Sequence, residues 1–150
     1  MSTTRHVRSI HIHAPVETVF DYVKDPVHFY DAMPNRMRAK LRAVKMTPEG
    51  VGTTYEWAIG RLAGVELVGV MTRQEFVVNE RIVDRSSTGP VWTWTVEPEG
   101  DGTSLTLAFE YSTKIPLVDK VVDAVFWRGD RDIDAMLAAI EDEAESLTRT

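Results

Sequence analysis

The sequence predicts an α+β fold. A curved seven-stranded antiparallel sheet is expected, with two short helices after the first strand and a long C-terminal helix across the concave face. Three observations carry this expectation. Hydrophobicity has a period of two in residues 6–13 and again from Met37 to Thr113. Short turn sequences punctuate the second stretch. From Val122 onward the apolar residues recur at three and four, the spacing of a helix.

The elements follow in order. His6–His13 alternates, with Ile10 and Ile12 on one face and His11 and His13 on the other. That is a half-buried strand. Ala14-Pro15 ends it, and Val16, Val19, Phe20 and Val23 give a short helix opened by proline. Asp25-Pro26 stops this helix, because a residue before proline is pushed out of the α region. A second short helix covers Val27–Met33 and ends before Pro34. Six strands are then expected at Arg38–Met46, Thr53–Gly60, Val65–Arg73, Glu75–Arg85, Val91–Glu97 and Ser104–Thr113. Turn signals separate them at Thr47–Gly50, Arg61–Gly64, Thr88–Pro90 and Glu99–Gly102. The tail reads as one amphipathic helix, roughly Leu117–Leu147. Its other face carries Asp132, Asp134, Glu141, Asp142 and Glu145, expected to be solvated.

With 150 residues, 43% hydrophobic and 27% charged, the chain reads as a single domain over 1–150 with a substantial core. The absence of cysteine excludes disulfides, thiol catalysis and thiolate metal sites. A net charge of −6 makes nucleic acid and anionic membranes poor partners. The N-terminal segment has no apolar core of a secretory signal, and no apolar stretch is long enough to span a bilayer. A cytoplasmic location is expected. Four Trp, four Tyr and five Phe must either fill a core or line a ligand site.

Several patterns together resemble one family. Ile10-x-Ile12-x-Ala14-Pro15-x-Glu17-x-Val19-Phe20, then Asp25-Pro26 with Phe29, Gly50-x-Gly52-Thr53, and Gly102-Thr103 occur in order along nearly the whole chain. In this the chain resembles the START-like helix-grip (SRPBCC) superfamily, in its polyketide cyclase/dehydrase and lipid-transport branch. The resemblance implies a cavity between sheet and helix for a hydrophobic or aromatic small molecule. It does not imply one activity, since such folds serve carriers, sensors and cyclases.

Strand alternation then nominates the lining. On the third strand Tyr55, Trp57 and Ile59 share a face; on the sixth Trp92 and Trp94 do, and on the seventh Phe109 and Tyr111. Hydrophobicity does not choose a face on the fourth strand. The resemblance favours Leu67, Gly69, Met71 and Arg73 inward. Phe126 and Met136 join from the long helix. Gly69, packing nothing of its own, suggests close approach of a ligand or a bend. In relatives that cyclise aromatic polyketides, an arginine late in the fourth strand and another before a Thr-Gly-Pro turn reach the cavity. Arg73 and Arg85 stand at the matching positions, before Thr88-Gly89-Pro90. An arginine there would stabilise enolate charge during ring closure. The alternative for both is a strand-end arginine turned to solvent, capping the cavity rim or pairing with Glu75 or Asp84. The tyrosine found in such enzymes after the second helix is replaced here by the Arg36 region, and no general base stands on the inward face.

His11 and His13 could suit a divalent metal, but they point outward and no carboxylate pattern completes the set, so neither metal nor cofactor is expected. His28, with Tyr30 and Asp31, lies at the cavity mouth in the family layout, as a gate or acid–base group. The basic run Met33–Arg38 reads as cavity rim. Val68, Val70 and Val77 offer an outer apolar face for a protein partner. Two functions fit: a carrier for a hydrophobic small molecule, and a cyclase or dehydratase using Arg73 and Arg85. The oligomeric state stays open, with a homodimer among the options.

Overall fold

The computed structural model describes residues 4–34, 39–62, 65–111 and 130–148, without the side chains of 59–62 and 65–67. The elements are β1 (Thr4–Ile12), α1 (Val16–Val23), α2 (Pro26–Asp31), β2 (Lys40–Lys45), β3 (Thr54–Leu62), β4 (Val65–Val77), β5 (Arg81–Ser86), β6 (Val91–Glu99), β7 (Gly102–Tyr111) and α3 (Asp130–Ser146). All seven strands form one antiparallel sheet in the order β1-β7-β6-β5-β4-β3-β2. It is the expected meander, closed on one side by β1. The expected helical residues before Asp130, Phe126 among them, lie outside the described residues, as do the Arg36 region and the side chains of Ile59 and Leu67.

Local chemistry explains the helix boundaries. Asp25-Pro26 both ends α1 and starts α2. The Asp25 carboxylate accepts from the Val27 N–H at 3.0 Å, and Pro26 takes the first helical position, where a missing N–H costs nothing. α2 therefore begins one residue earlier than expected. His28 Nδ1 donates to the Tyr22 carbonyl at 2.7 Å, and its ring stacks on Tyr22 at 4.2 Å. The expected gate residue thus splints the two short helices together.

One strand boundary is corrected. β4 runs through Gln74 to Val77, where the sequence suggested a break after Arg73. The turn falls at Val78-Asn79-Glu80, with Asn79 at φ 60° and the Glu80 N–H on the Val77 carbonyl at 3.0 Å. Asn tolerates this left-handed conformation, so the turn forms without Gly or Pro. Gln74 is instead a bulge, between the pairs Arg73↔Asp84 and Glu75↔Val83. Register also shifts in β2 between Arg42 and Lys45, and in β3 between Ile59 and Arg61. Such bulges bend a sheet and increase its twist, which supplies the curvature.

The expected alternation holds on β6 and β7 and on β4 as far as Arg73; on β3 Ala58, which parity sets on the outer face, is buried as well. Met71 and Arg73 are buried while Val68, Val70 and Thr72 are exposed, so the inward register of β4 is the expected one. β6 and β7 bury Trp92, Trp94 and Val96, and Leu105, Leu107, Phe109 and Tyr111. α3 buries Ile133, Met136, Leu137 and Ile140. A helix of this length is marginal alone, and each such side chain contributes roughly 1.5–3 kcal/mol on burial.

The acidic face of α3 departs from the expectation of a solvated face. Asp132 is buried. Asp134 takes a bidentate pair from Arg8, Nε at 2.8 Å and Nη2 at 3.0 Å. Glu145 accepts the His13 backbone N–H at 2.9 Å. The helix is thus fastened to edge strand β1 along its length by charge as well as by apolar contact.

Candidate functional site

Two ends of the concave face differ in chemistry. One is aliphatic: Val96 faces Leu105 across β6 and β7, Leu105 faces Ile10 across β7 and β1, and Ile12 follows two residues on. The other is aromatic, because Trp92 pairs with Phe109 across β6 and β7, and Tyr111 follows two residues on. Their rings touch, with Trp92–Phe109 centroids at 4.4 Å and Phe109–Tyr111 at 5.2 Å. α2 inserts Phe29 among them, 5.4 Å from Trp94 and 6.1 Å from Tyr55. Phe29 and Tyr30, both buried, were not among the expected inward residues, since nothing local says which way so short a helix turns.

Below the aromatic end lies a buried polar cluster built on β3, β4 and β5. Arg73 and Asp84 are cross-strand partners, and both side chains are fully buried. Arg73 Nε donates to Asp84 Oδ1 at 2.9 Å and Nη2 to Oδ2 at 3.2 Å. Nη1 donates to the Lys24 carbonyl at 3.0 Å, at the C-terminal cap of α1. The Tyr55 hydroxyl donates to Asp84 Oδ2 at 2.6 Å. Phe76 lies 5.7 Å from the guanidinium, a cation–π contact. The fork geometry of arginine suits this bidentate grip, and each buried charge is matched. Burial, with the Asp84 charge added, pushes the Tyr55 and Tyr30 hydroxyls well above the usual phenol range. Both stay protonated at physiological pH.

The sequence-nominated residues separate clearly. Tyr55, Met71, Arg73, Trp92, Trp94, Phe109, Tyr111 and Met136 are buried, and Trp57 is half-buried. Gly69 does not leave room for a ligand. A Cβ there would stand 2.6 Å from Trp57 Cζ2, so the Trp57 indole fills the space. That indole donates to Ser86 Oγ at 3.2 Å. Arg85 is not brought to the cluster. It is exposed, and its Nε donates to Gln74 at 3.2 Å. The reason is parity: Ile82, Asp84 and Ser86 take the inner face of β5, and Arg85 falls between them. Arg73 is not turned to solvent but buried, and of the two partners named for it Asp84 is the one it takes; Glu75 pairs with Arg81 instead.

Two donors on this face stand out. Trp94 Nε1 and Tyr111 Oη are buried and have no hydrogen-bond partner among the described residues. A buried donor left unpaired costs about 1–3 kcal/mol. Among the described residues, no helix is long and apolar enough to cross a membrane.

Known proteins place this architecture. The family described as polyketide cyclase/dehydrase and lipid transport matches residues 3–145. Among curated proteins none matches the sequence. Similar solved structures include the Zhui aromatase/cyclase from a Streptomyces species, at 18% identity and TM-score 0.72, covering 99% of this chain and 98% of that one. A Thermus thermophilus protein is 21% identical with TM-score 0.69, covering 96% and 99%. A Deinococcus radiodurans protein is 15% identical with TM-score 0.69, covering 95% and 98%. At such identities the structures attest the shared fold, while the match over almost the whole sequence attests more: this chain belongs to the polyketide cyclase/dehydrase and lipid-transport family.

Proposed function

We propose that the protein binds a hydrophobic or aromatic small molecule at the aromatic end of its concave face, as a carrier or ligand-binding protein. The observation that carries this reading is two buried donors, Trp94 Nε1 and Tyr111 Oη, that have no partner among the described residues and are set in an aromatic wall. Polar handles of this kind in an apolar surround are the usual make-up of a small-molecule site. A ligand with a carbonyl, phenol or carboxyl oxygen would satisfy them. Titration with aromatic and lipid libraries, read by Trp fluorescence and native mass spectrometry, tests it. Binding weakened in Trp94→Phe is the expected result. No binding tighter than roughly 1 mM across the libraries overturns it.

The second reading is a cyclase or dehydratase that closes an aromatic ring, with Arg73 stabilising enolate oxygen. Its support is the burial of Arg73 on the concave face and the activity named for the Streptomyces structure. Against it, Asp84 occupies Nε and Nη2 and cancels the charge, and Arg85 lies on the other face. A group already neutralised stabilises developing charge poorly. Turnover of a poly-β-keto substrate mimic, lost in Arg73→Met while the fold persists, would favour this reading over the first.

A further inference from the structure

We propose that His11, His13 and Asp101 form a surface site for a divalent transition-metal ion, zinc being the best match. It lies apart from the concave face and does not depend on the ligand reading above. The ligating atoms of the three residues lie within 4.8 Å of one another. They come from separate places in the chain. His11 is on β1, His13 follows its end, and Asp101 sits in the β6–β7 turn. The sequence offered no carboxylate to complete the two histidines. The antiparallel pairing of β1 with β7 brings one, because Ile12 faces Thr103 and the turn projects beside the end of β1.

The spacing of one pair is close to that of two ligands on one ion. His11 Nε2 and Asp101 Oδ1 are 3.6 Å apart. That is long for a hydrogen bond. Two ligands on a tetrahedral zinc, at 2.0–2.2 Å each, stand roughly 3.3–3.5 Å apart. The other side of the ring is already prepared. His11 Nδ1 is 2.6 Å from Glu99 Oε1, a carboxylate that holds the ring proton on Nδ1 and leaves the Nε2 lone pair for a metal. Gly102 makes room for this ring: a Cβ there would stand 3.0 Å from His11 Nε2 and would also collide with the Ile12 carbonyl. His13 is oriented by Glu145, whose Oε2 is 3.4 Å from Nδ1 and accepts the His13 backbone N–H. Two imidazoles and a carboxylate, with a position left for water, suit zinc and neighbouring late first-row ions rather than calcium or magnesium. Three carboxylates around two imidazoles also attract a cation. The ion would clip the end of β1 to the β6–β7 turn, beside the Glu145 contact with α3.

Tag-free full-length protein is titrated with Co²⁺, read by visible absorption, and with Zn²⁺ in competition with a chromophoric chelator. One saturable site per chain is expected. Glu99→Gln should weaken zinc about 10–100-fold, the usual effect of losing a carboxylate behind a ligating histidine. His11→Ala and Asp101→Asn should weaken it at least as much. His6→Ala, which removes a histidine of the same strand paired with Asp130, should leave it unchanged. Circular dichroism reports the fold of each variant, and the near-isosteric Glu99→Gln decides the matter if His11→Ala does not fold. Absence of saturable uptake at about 100 μM metal, or wild-type affinity in Glu99→Gln, overturns the proposal.

Discussion

Asp84→Ala is expected to be among the most damaging single truncations of a polar side chain in this protein. The carboxylate is fully buried and accepts three hydrogen bonds, two from Arg73 and one from Tyr55. Removing it leaves the guanidinium, among the described residues, with the Lys24 carbonyl and the Phe76 ring. Breaking a buried pair from one side costs about 3–5 kcal/mol, and the orphaned phenol adds about 1–3. Because one carboxylate serves both partners the two overlap, and about 4–6 kcal/mol is expected. That is a large part of a total stability of about 5–15 kcal/mol. At about 2–4 °C per kcal/mol, melting should fall by about 8–24 °C. Urea unfolding at unchanged m-value gives the free energy directly. Arg73→Met combined with Asp84→Leu should recover most of the loss, because apolar replacement of a buried pair is often neutral. A cost below about 1 kcal/mol for Asp84→Ala, within the range of an exposed pair, would refute this account. So would a double variant equal to the sum of its singles.

Three further outcomes follow from the same geometry. Tyr111→Phe removes a hydroxyl that has no partner among the described residues, so stability should stay level or rise by about 1 kcal/mol while acceptor-bearing ligands bind about five- to tenfold more weakly; a destabilised variant would show that the hydroxyl was bonded. Gly69→Ala drives a methyl into the Trp57 indole and should cost about 1–3 kcal/mol and alter tryptophan emission; unchanged emission would contradict the close packing. Finally, the native state keeps Tyr55 and Tyr30 protonated at pH values where the unfolded chain, titrating near pH ~10, has lost those protons. There the folded chain binds more protons, so stability is full below about pH 10 and falls above it, by about 1.4 kcal/mol per pH unit per tyrosine. Urea midpoints between about pH 8 and pH 11 measure the slope, which should be shallower in Tyr55→Phe; an equal slope would remove Tyr55 from the explanation.

Much of the scaffold was legible in the chain. Strand parity alone pointed Tyr55, Trp92, Trp94, Phe109 and Tyr111 inward, because a strand with one buried face fixes every second side chain. The β4–β5 turn leaves little trace in the chain, since Val78-Asn79-Glu80 carries no Gly or Pro, and an Asn in the left-handed region is a weak local signal. The Thr88-Gly89-Pro90 turn, which resembles the family's, argues for Arg85 in the cavity, whereas parity with Ile82 along β5 sets it outside.

By itself, then, the sequence determined the period of each element, the order of the meander and the aromatic character of the inner face. These depend on neighbours two to four residues apart. Tertiary structure alone decided which polar groups meet. The Arg73–Asp84–Tyr55 cluster joins three strands, and the α1 cap joins it through the Lys24 carbonyl. Asp101 reaches His11 across about ninety residues, and Asp134 reaches Arg8 across more than a hundred. A charge or a lone pair has no periodicity to betray its partner. Its free energy is set by distance and burial, and those exist only once the sheet has curved and the helix has docked.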